Sequence, residues 1–186
     1  LQIKLFKKPE GEKMIKITEK VHELIAAKKD VKLAVDMTVG RGRDFLALTK
    51  IADKVFGFDI QKIAIEETKK LVQNQEINYS LIHDNHENIA KYITEPIDLA
   101  VYNLGYLPNG DKQIITETDS TLKSLKALLP LMAPKGLVII VLYPHNQNEI
   151  NTIKEYVSSL SSGYDVLDYQ ILNRLQAPEI ITIEKG

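Results

Sequence analysis

Five polar side chains stand directly after short apolar runs, where a site would need them. Asp36 follows residues 33–35, Asp59 follows 55–58, and Asp84 comes shortly after 79–82. Asn103 follows 97–102, and His145 follows 137–143. Between Asp36 and the helical pattern of Phe45, Leu46 and Leu48 lies a turn, Gly40-Arg41-Gly42. Its glycines let the backbone take positive φ and leave room for a ligand. Asp59 lies about 20 residues past them, the spacing of a carboxylate that holds a ribose hydroxyl pair. A lone acid at a strand end is usually a helix cap. A row of them is poorly explained by capping or solubility and points to a site.

The elements that must carry this row alternate. Val21, Leu24 and Ile25 recur at helical spacing after Thr18, a predicted N-cap, and Lys28 and Lys29 suit the C-terminal end. Further helices are expected over 44–51, over 61–75 on Ile63, Ile65, Leu71 and Val72, and briefly up to Tyr92. Another starts at Thr118 or Ser120 and carries Leu122, Leu125, Leu128, Leu129 and Met132; the last covers 148–160. Pro134-Lys135-Gly136 reads as a turn before the strand at 137–143. Strands at 164–172 and 179–184 are joined by too few residues for a crossover helix, so they should form an antiparallel hairpin. Five strands alternating with helices predict an α/β fold, a mostly parallel seven-stranded sheet with helices on both faces. Ligands of such sheets bind beyond the carboxyl ends of the strands, where the polar row stands.

Composition narrows the class. The 186 residues suit one domain, expected over 14–186, with residues 1–13 a flexible N-terminal extension. The apolar share of 44% and charged share of 26% are those of a globular protein in water. The net charge of −1 provides no global basic field for nucleic acid, so an RNA contact needs a local patch. With no cysteine there is no disulfide or thiolate nucleophile, which fits a cytoplasmic protein. No apolar run approaches the ~20 residues of a membrane span. His83 and His86 sit three apart with Asp84 between them, a spacing better explained by hydrogen-bonded structure than by a metal.

Two cofactors compete for the site. A nicotinamide dinucleotide wants a third glycine three residues after the second, but Gly42 is followed by Arg43, Asp44 and Phe45. S-adenosylmethionine has no pyrophosphate, so a looser turn suffices. Asp59 is placed for its ribose and Asp84 for its adenine amino group. The closing hairpin also matches the Rossmann-like class I methyltransferase fold and favours methyl transfer.

A closer resemblance rests on four blocks: Asp36-x-Thr38-x-Gly40-x-Gly42-x-Asp44, Gly57-Phe58-Asp59-Ile60-Gln61, Ile82-x-Asp84-x-His86-Glu87-Asn88, and Asn103-Leu104-Gly105-Tyr106-Leu107-Pro108 followed by Asp111-Lys112. They resemble the tRNA wobble-uridine 5-aminomethyl methyltransferases, once described as rRNA methylases. His22-Glu23-Leu24 also fits that pattern. The resemblance implies methylation of the primary amine of 5-aminomethyl-(2-thio)uridine in the tRNA anticodon loop, and it leaves a homodimer open. It implies that Gly40, Arg41, Gly42, Asp44, Asp59 and Gln61 serve the cofactor, with Asp84, Asn85 and His86 on its adenine side. Asn103 and Tyr106 would face the transferred methyl group and carry catalysis. The chain departs from the family pattern at Arg41, where asparagine is usual, and over 143–148, where the glycines are missing.

In this chemistry Asn103 can accept a hydrogen bond from the attacking amine and aim its lone pair, while Tyr106 can pack on the uracil face or bond its edge. Asp111 can take the amine proton, or it can be a plain turn residue. Arg41 and Arg43 are better placed to meet a phosphate than the lysines near the N-terminus. An rRNA methyltransferase, a small-molecule N-methyltransferase and a non-catalytic module binding S-adenosylmethionine or RNA remain the alternatives.

Overall fold

Continuous apolar runs belong to strands buried on both faces, and here they form the centre of the molecule. The computed structural model describes residues 16–105, 118–174 and 176–186. In chain order the elements are α1 (Ile17–Ala27), β1 (Val31–Asp36), α2 (Arg43–Leu48), β2 (Ala52–Asp59), α3 (Lys62–Val72) and β3 (Asn78–His83). A 3-10 helix (His86–Lys91) leads to β4 (Ile97–Asn103), α4 (Thr118–Leu131), β5 (Met132–Leu142), α5 (Gln147–Ser158), β6 (Tyr164–Tyr169) and β7 (Glu179–Lys185). The sheet order is β3-β2-β1-β4-β5-β7-β6. The first five strands are parallel, and β7 runs antiparallel to both β5 and β6. The predicted α/β fold and its closing hairpin are both present.

Alternation along the strands divides the core in two. Leu33, Val35, Phe56, Phe58 and Tyr102 face one layer, which α4, α5 and the 3-10 helix cover with Leu125, Leu128, Ile150, Ile153 and Ile89. Ala34, Val55, Leu99 and Val101 face the other, covered by Val21 and Ile25 of α1, Phe45 and Leu48 of α2, and Val72 of α3. Helices thus cover both faces of the sheet.

Three local expectations need correction. Helix α1 begins after Lys16 with no side-chain cap, so Thr18 lies inside it, and no basic residue occupies its last turn. Helix α3 buries Ala64, Thr68 and Val72, while Ile63 and Leu71 are 50% and 44% exposed. The small residues face inward because Thr68 lies against Gly42, and a larger side chain there would collide with the turn. Pro134-Lys135-Gly136 lies within β5 instead of before it. Pairing with β4 resumes on both sides of the irregularity, from Ile97 with Met132 to Leu99 with Leu137, and Lys135 absorbs the kink with φ of 61°. Tyr106, Leu107, Pro108, Asp111 and Lys112 lie outside the described residues, as do residues 1–13.

Candidate active site

The strand order reverses between β1 and β4, the switch point where open parallel sheets form a crevice. Asp36 ends one of these strands and Asn103 the other. The two ends are stitched together. Met37 N donates to Val101 O at 2.8 Å, and Asn103 N donates to Thr38 Oγ1 at 2.7 Å.

The glycine turn leaves β1 with Gly40 at φ 50° and Gly42 at φ 72°. A Cβ on Gly42 would also lie 2.5 Å from Thr68 Oγ1, so this position excludes a side chain on two grounds. The turn is docked on the acid at the end of β2. Gly40 N donates to Asp59 Oδ2 and Gln61 N to Asp59 Oδ1, each at 2.8 Å. Each carboxylate oxygen keeps acceptor capacity for hydroxyl groups. Burial is the main cause that pushes the Asp59 carboxyl above its ordinary range.

Asp36 is fully buried. Its Oδ1 accepts from Thr38 N at 3.0 Å, and its Oδ2 has no partner. Burial, and then the nearby Asp44, raise its pKa well above the usual carboxylate range. A buried oxygen left without a donor at the base of a glycine turn suits a ligand that brings one.

At the end of β3, Asp84 accepts from Asn85 N at 2.7 Å, Asn88 Nδ2 at 3.0 Å and the Tyr92 hydroxyl at 2.8 Å. The tyrosine bond is the largest cause holding its carboxyl below the ordinary range. Asn85 caps the 3-10 helix, its side chain accepting from Glu87 N at 3.0 Å. His86 turns inward and sets its ring edge against Tyr102 at 5.8 Å, with Nδ1 unpartnered. Burial lowers its pKa to about 4, so the ring is neutral at physiological pH. Of the three residues expected together, Asp84 stands at the edge, Asn85 serves a helix and His86 packs into the interior.

Asn103 is held at both ends of its amide. Its Nδ2 donates to Asp44 Oδ2 at 2.9 Å, and its Oδ1 accepts from the Tyr143 hydroxyl at 2.9 Å. Asp44 Oδ1 bonds His22 Nε2 at 2.8 Å. A carboxylate only accepts, so the amide must turn its NH2 toward Asp44 and its oxygen toward Tyr143. That oxygen has a second lone pair. The Tyr143 ring reaches it across Gly105, where a Cβ would stand 3.2 Å from the ring. Burial, with Asp44 second, raises the Tyr143 pKa, so its hydroxyl stays protonated and donates.

Asp44, expected near the cofactor, thus faces Asn103 and His22. Arg41 on the turn and Arg43 at the start of α2 are exposed, and His145 lies against Tyr143 with ring centroids 5.8 Å apart. Sequence reasoning did not give His22 or Tyr143 a role in the site, nor Asp36 one toward the cofactor. His22 stood in the His22-Glu23-Leu24 block, and Tyr143 in the stretch that departs from the family.

Residues 55–185 match the model of the family described as "Putative rRNA methylase". The chain belongs to that family. It is 32% identical to the chloroplastic tRNA (mnm(5)s(2)U34)-methyltransferase of Arabidopsis thaliana, over 91% of this chain and 69% of that one. It is 34% identical to a "putative methyltransferase" of Streptococcus mutans solved in complex with SAH, with a TM-score of 0.85 over 93% of this chain and all of the other. An rRNA methylase of Streptococcus thermophilus is 30% identical, with a TM-score of 0.77 over 93% of this chain and 99% of that one. The chain is an S-adenosylmethionine-dependent methyltransferase, as the resemblance implied. The rRNA methylase family site described above fits this cofactor. Asp59 offers free acceptor capacity for ribose hydroxyls, and the orphaned Asp36 Oδ2 suits a donor group such as an ammonium.

Proposed function

We propose that this methyltransferase N-methylates the primary amine of 5-aminomethyl-(2-thio)uridine at the wobble position of tRNA. The observation that carries the reading is the neutral amide of Asn103, held at the strand-order switch with an oxygen lone pair to spare. A carboxylate there would attract a protonated amine and keep it protonated. An amide oxygen accepts a hydrogen bond from the neutral amine and directs its lone pair. The plant relative's name, a tRNA wobble methyltransferase, supports the same substrate.

In this reading the cofactor supplies an electrophilic methyl group on a good leaving group. The protein's work is positioning. Asp59 and the backbone of the Gly40–Gly42 turn bind the ribose side, and Asp84 marks the adenine side. Asn103 Oδ1 accepts from the amine, and Tyr106 packs on the base. Arg41 and Arg43 meet phosphates of the anticodon loop. The reading places the reaction in the cytoplasm and leaves a homodimer open. Among the described residues, no helix is long and apolar enough to cross a membrane.

The amine reacts only when deprotonated, so the rate should rise toward alkaline pH until the substrate amine is neutral. Mass spectrometry of wobble nucleosides from cells lacking the protein tests the substrate. The aminomethyl form should accumulate and the methylaminomethyl form disappear. An unchanged wobble profile with a methyl lost from rRNA would instead support the rRNA alternative.

A further inference from the structure

We propose that His22, acting through Asp44, is a positioning residue that fixes which way the Asn103 amide faces. The inference rests on the methyl-transfer reading, in which the Asn103 oxygen meets the substrate amine.

The oxygen and nitrogen ends of an asparagine side chain are nearly the same size, so packing alone cannot choose between its two orientations. With the oxygen turned away, the site would present N–H donors to an attacking amine, which is the wrong polarity. Asp44 makes the choice. It is buried at the start of α2 and accepts from Asn103 Nδ2 at 2.9 Å, so the amide cannot flip without facing oxygen against oxygen. Tyr143 supports the choice from the other side by donating to Oδ1 at 2.9 Å.

Asp44 in turn needs holding. A carboxylate rotates readily about its terminal bond, and its second oxygen is held by His22 Nε2 at 2.8 Å. His22 belongs to α1, outside the strand-end row, and its side chain is 44% exposed. A partly exposed histidine contributes little to the core, so its bond to a buried carboxylate reads as orientation more than stability. Four residues from α1, α2, β4 and the end of β5 thus form one chain of hydrogen bonds: His22, Asp44, Asn103, Tyr143. The charged and titratable groups facing it are Arg43 and Lys50 near His22, Asp36 near Asp44, and His145 beside Tyr143.

Two readouts test the proposal on the full chain. The first needs no substrate. In 15N-labelled protein the Asn103 side-chain NH2 signal is identified by its loss in Asn103→Leu. On titration it should shift with the protonation of His22, and the shift should vanish in His22→Gln while His145 is left in place. A signal that ignores pH, or one that titrates unchanged in His22→Gln, overturns the proposal. The second is turnover on tRNA at saturating S-adenosylmethionine. His22→Ala should lower kcat about tenfold with KM for S-adenosylmethionine unchanged. His22→Gln, which keeps an N–H donor, should recover most of the loss. In the Asn103→Leu background, His22→Ala should cost nothing more. A wild-type kcat in His22→Ala, or equal losses in both backgrounds, overturns the positioning role. Absence of any transfer to tRNA by the wild type would refute the wobble reading, while the NMR titration would still decide whether His22 holds the amide.

Discussion

In the proposed reading, Asp59 and Asn103 divide the work of the site between binding and reaction. The Asp59 oxygens already accept from Gly40 N and Gln61 N, so the carboxylate is fixed before any ribose arrives. Asp59→Ala should weaken S-adenosylmethionine binding by about 1.5–3 kcal/mol, the scale of a charged hydrogen bond, as read by calorimetry. Unchanged affinity would remove Asp59 from the cofactor site. Asn103→Leu should leave that affinity nearly intact and lower turnover by roughly 10²-fold, because its contact is made with the reacting amine. His22 adds a pH signature. Its pKa is raised, first by the hydrogen bond to Asp44. The stabilisation is therefore fully present below its unfolded value of about 6.5 and is lost as pH rises through the higher folded value. The melting temperature of His22→Gln should fall below that of the wild type at about pH 5 and approach it at about pH 9. The difference should be small, since the ring is partly exposed. An equal gap at both pH values would mean that the His22 charge contributes nothing.

At the scale of elements, the contact between the glycine turn and α3 sets the geometry. Gly42 is in the left-handed region and lies under Thr68. Gly42→Ala should destabilise the protein by about 1–3 kcal/mol in denaturant unfolding. Adding Thr68→Ala should recover the part due to the collision and leave the part due to φ. Full recovery would show that the turn tolerates a side chain. This contact also explains why the buried face of α3 departs from the apolar pattern of its sequence. Ile63 and Leu71 look like its core face, but the turn it packs on demands Ala64 and Thr68 instead. The strand ends were legible, because a parallel strand buried on both faces is an apolar run whose polar terminus stands out. The kink in β5 was not, since Pro134-Lys135-Gly136 carries the signature of a turn between elements whether or not the ladder resumes beyond it. At the junction of the turn and α2, replacing Arg41 and Arg43 by Gln should raise KM for tRNA and flatten its salt dependence. An unaltered salt slope would free both arginines from phosphate contact.

Across the whole molecule, the site assembles at the strand-order switch, and that made part of it unreadable beforehand. Asp36, Asp59, Asp84 and Asn103 could be placed in a row from sequence because sheet topology orders strand ends. The network around Asn103 could not. Its bonds join residues 22, 59 and 40 positions apart, and no local pattern marks them. The inward turn of His86 was hidden for the same reason, since it opens the 3-10 helix while its packing partner Tyr102 belongs to β4. The central claim is that the amide at this switch aims a wobble aminomethyl group at the cofactor's methyl. Its most direct test is single-turnover transfer from labelled S-adenosylmethionine to an anticodon stem-loop carrying one 5-aminomethyl-2-thiouridine. The account predicts one methyl gained on that nucleoside, and none on the same stem-loop with plain 2-thiouridine. Equal labelling of both stem-loops, or none of either, would contradict it.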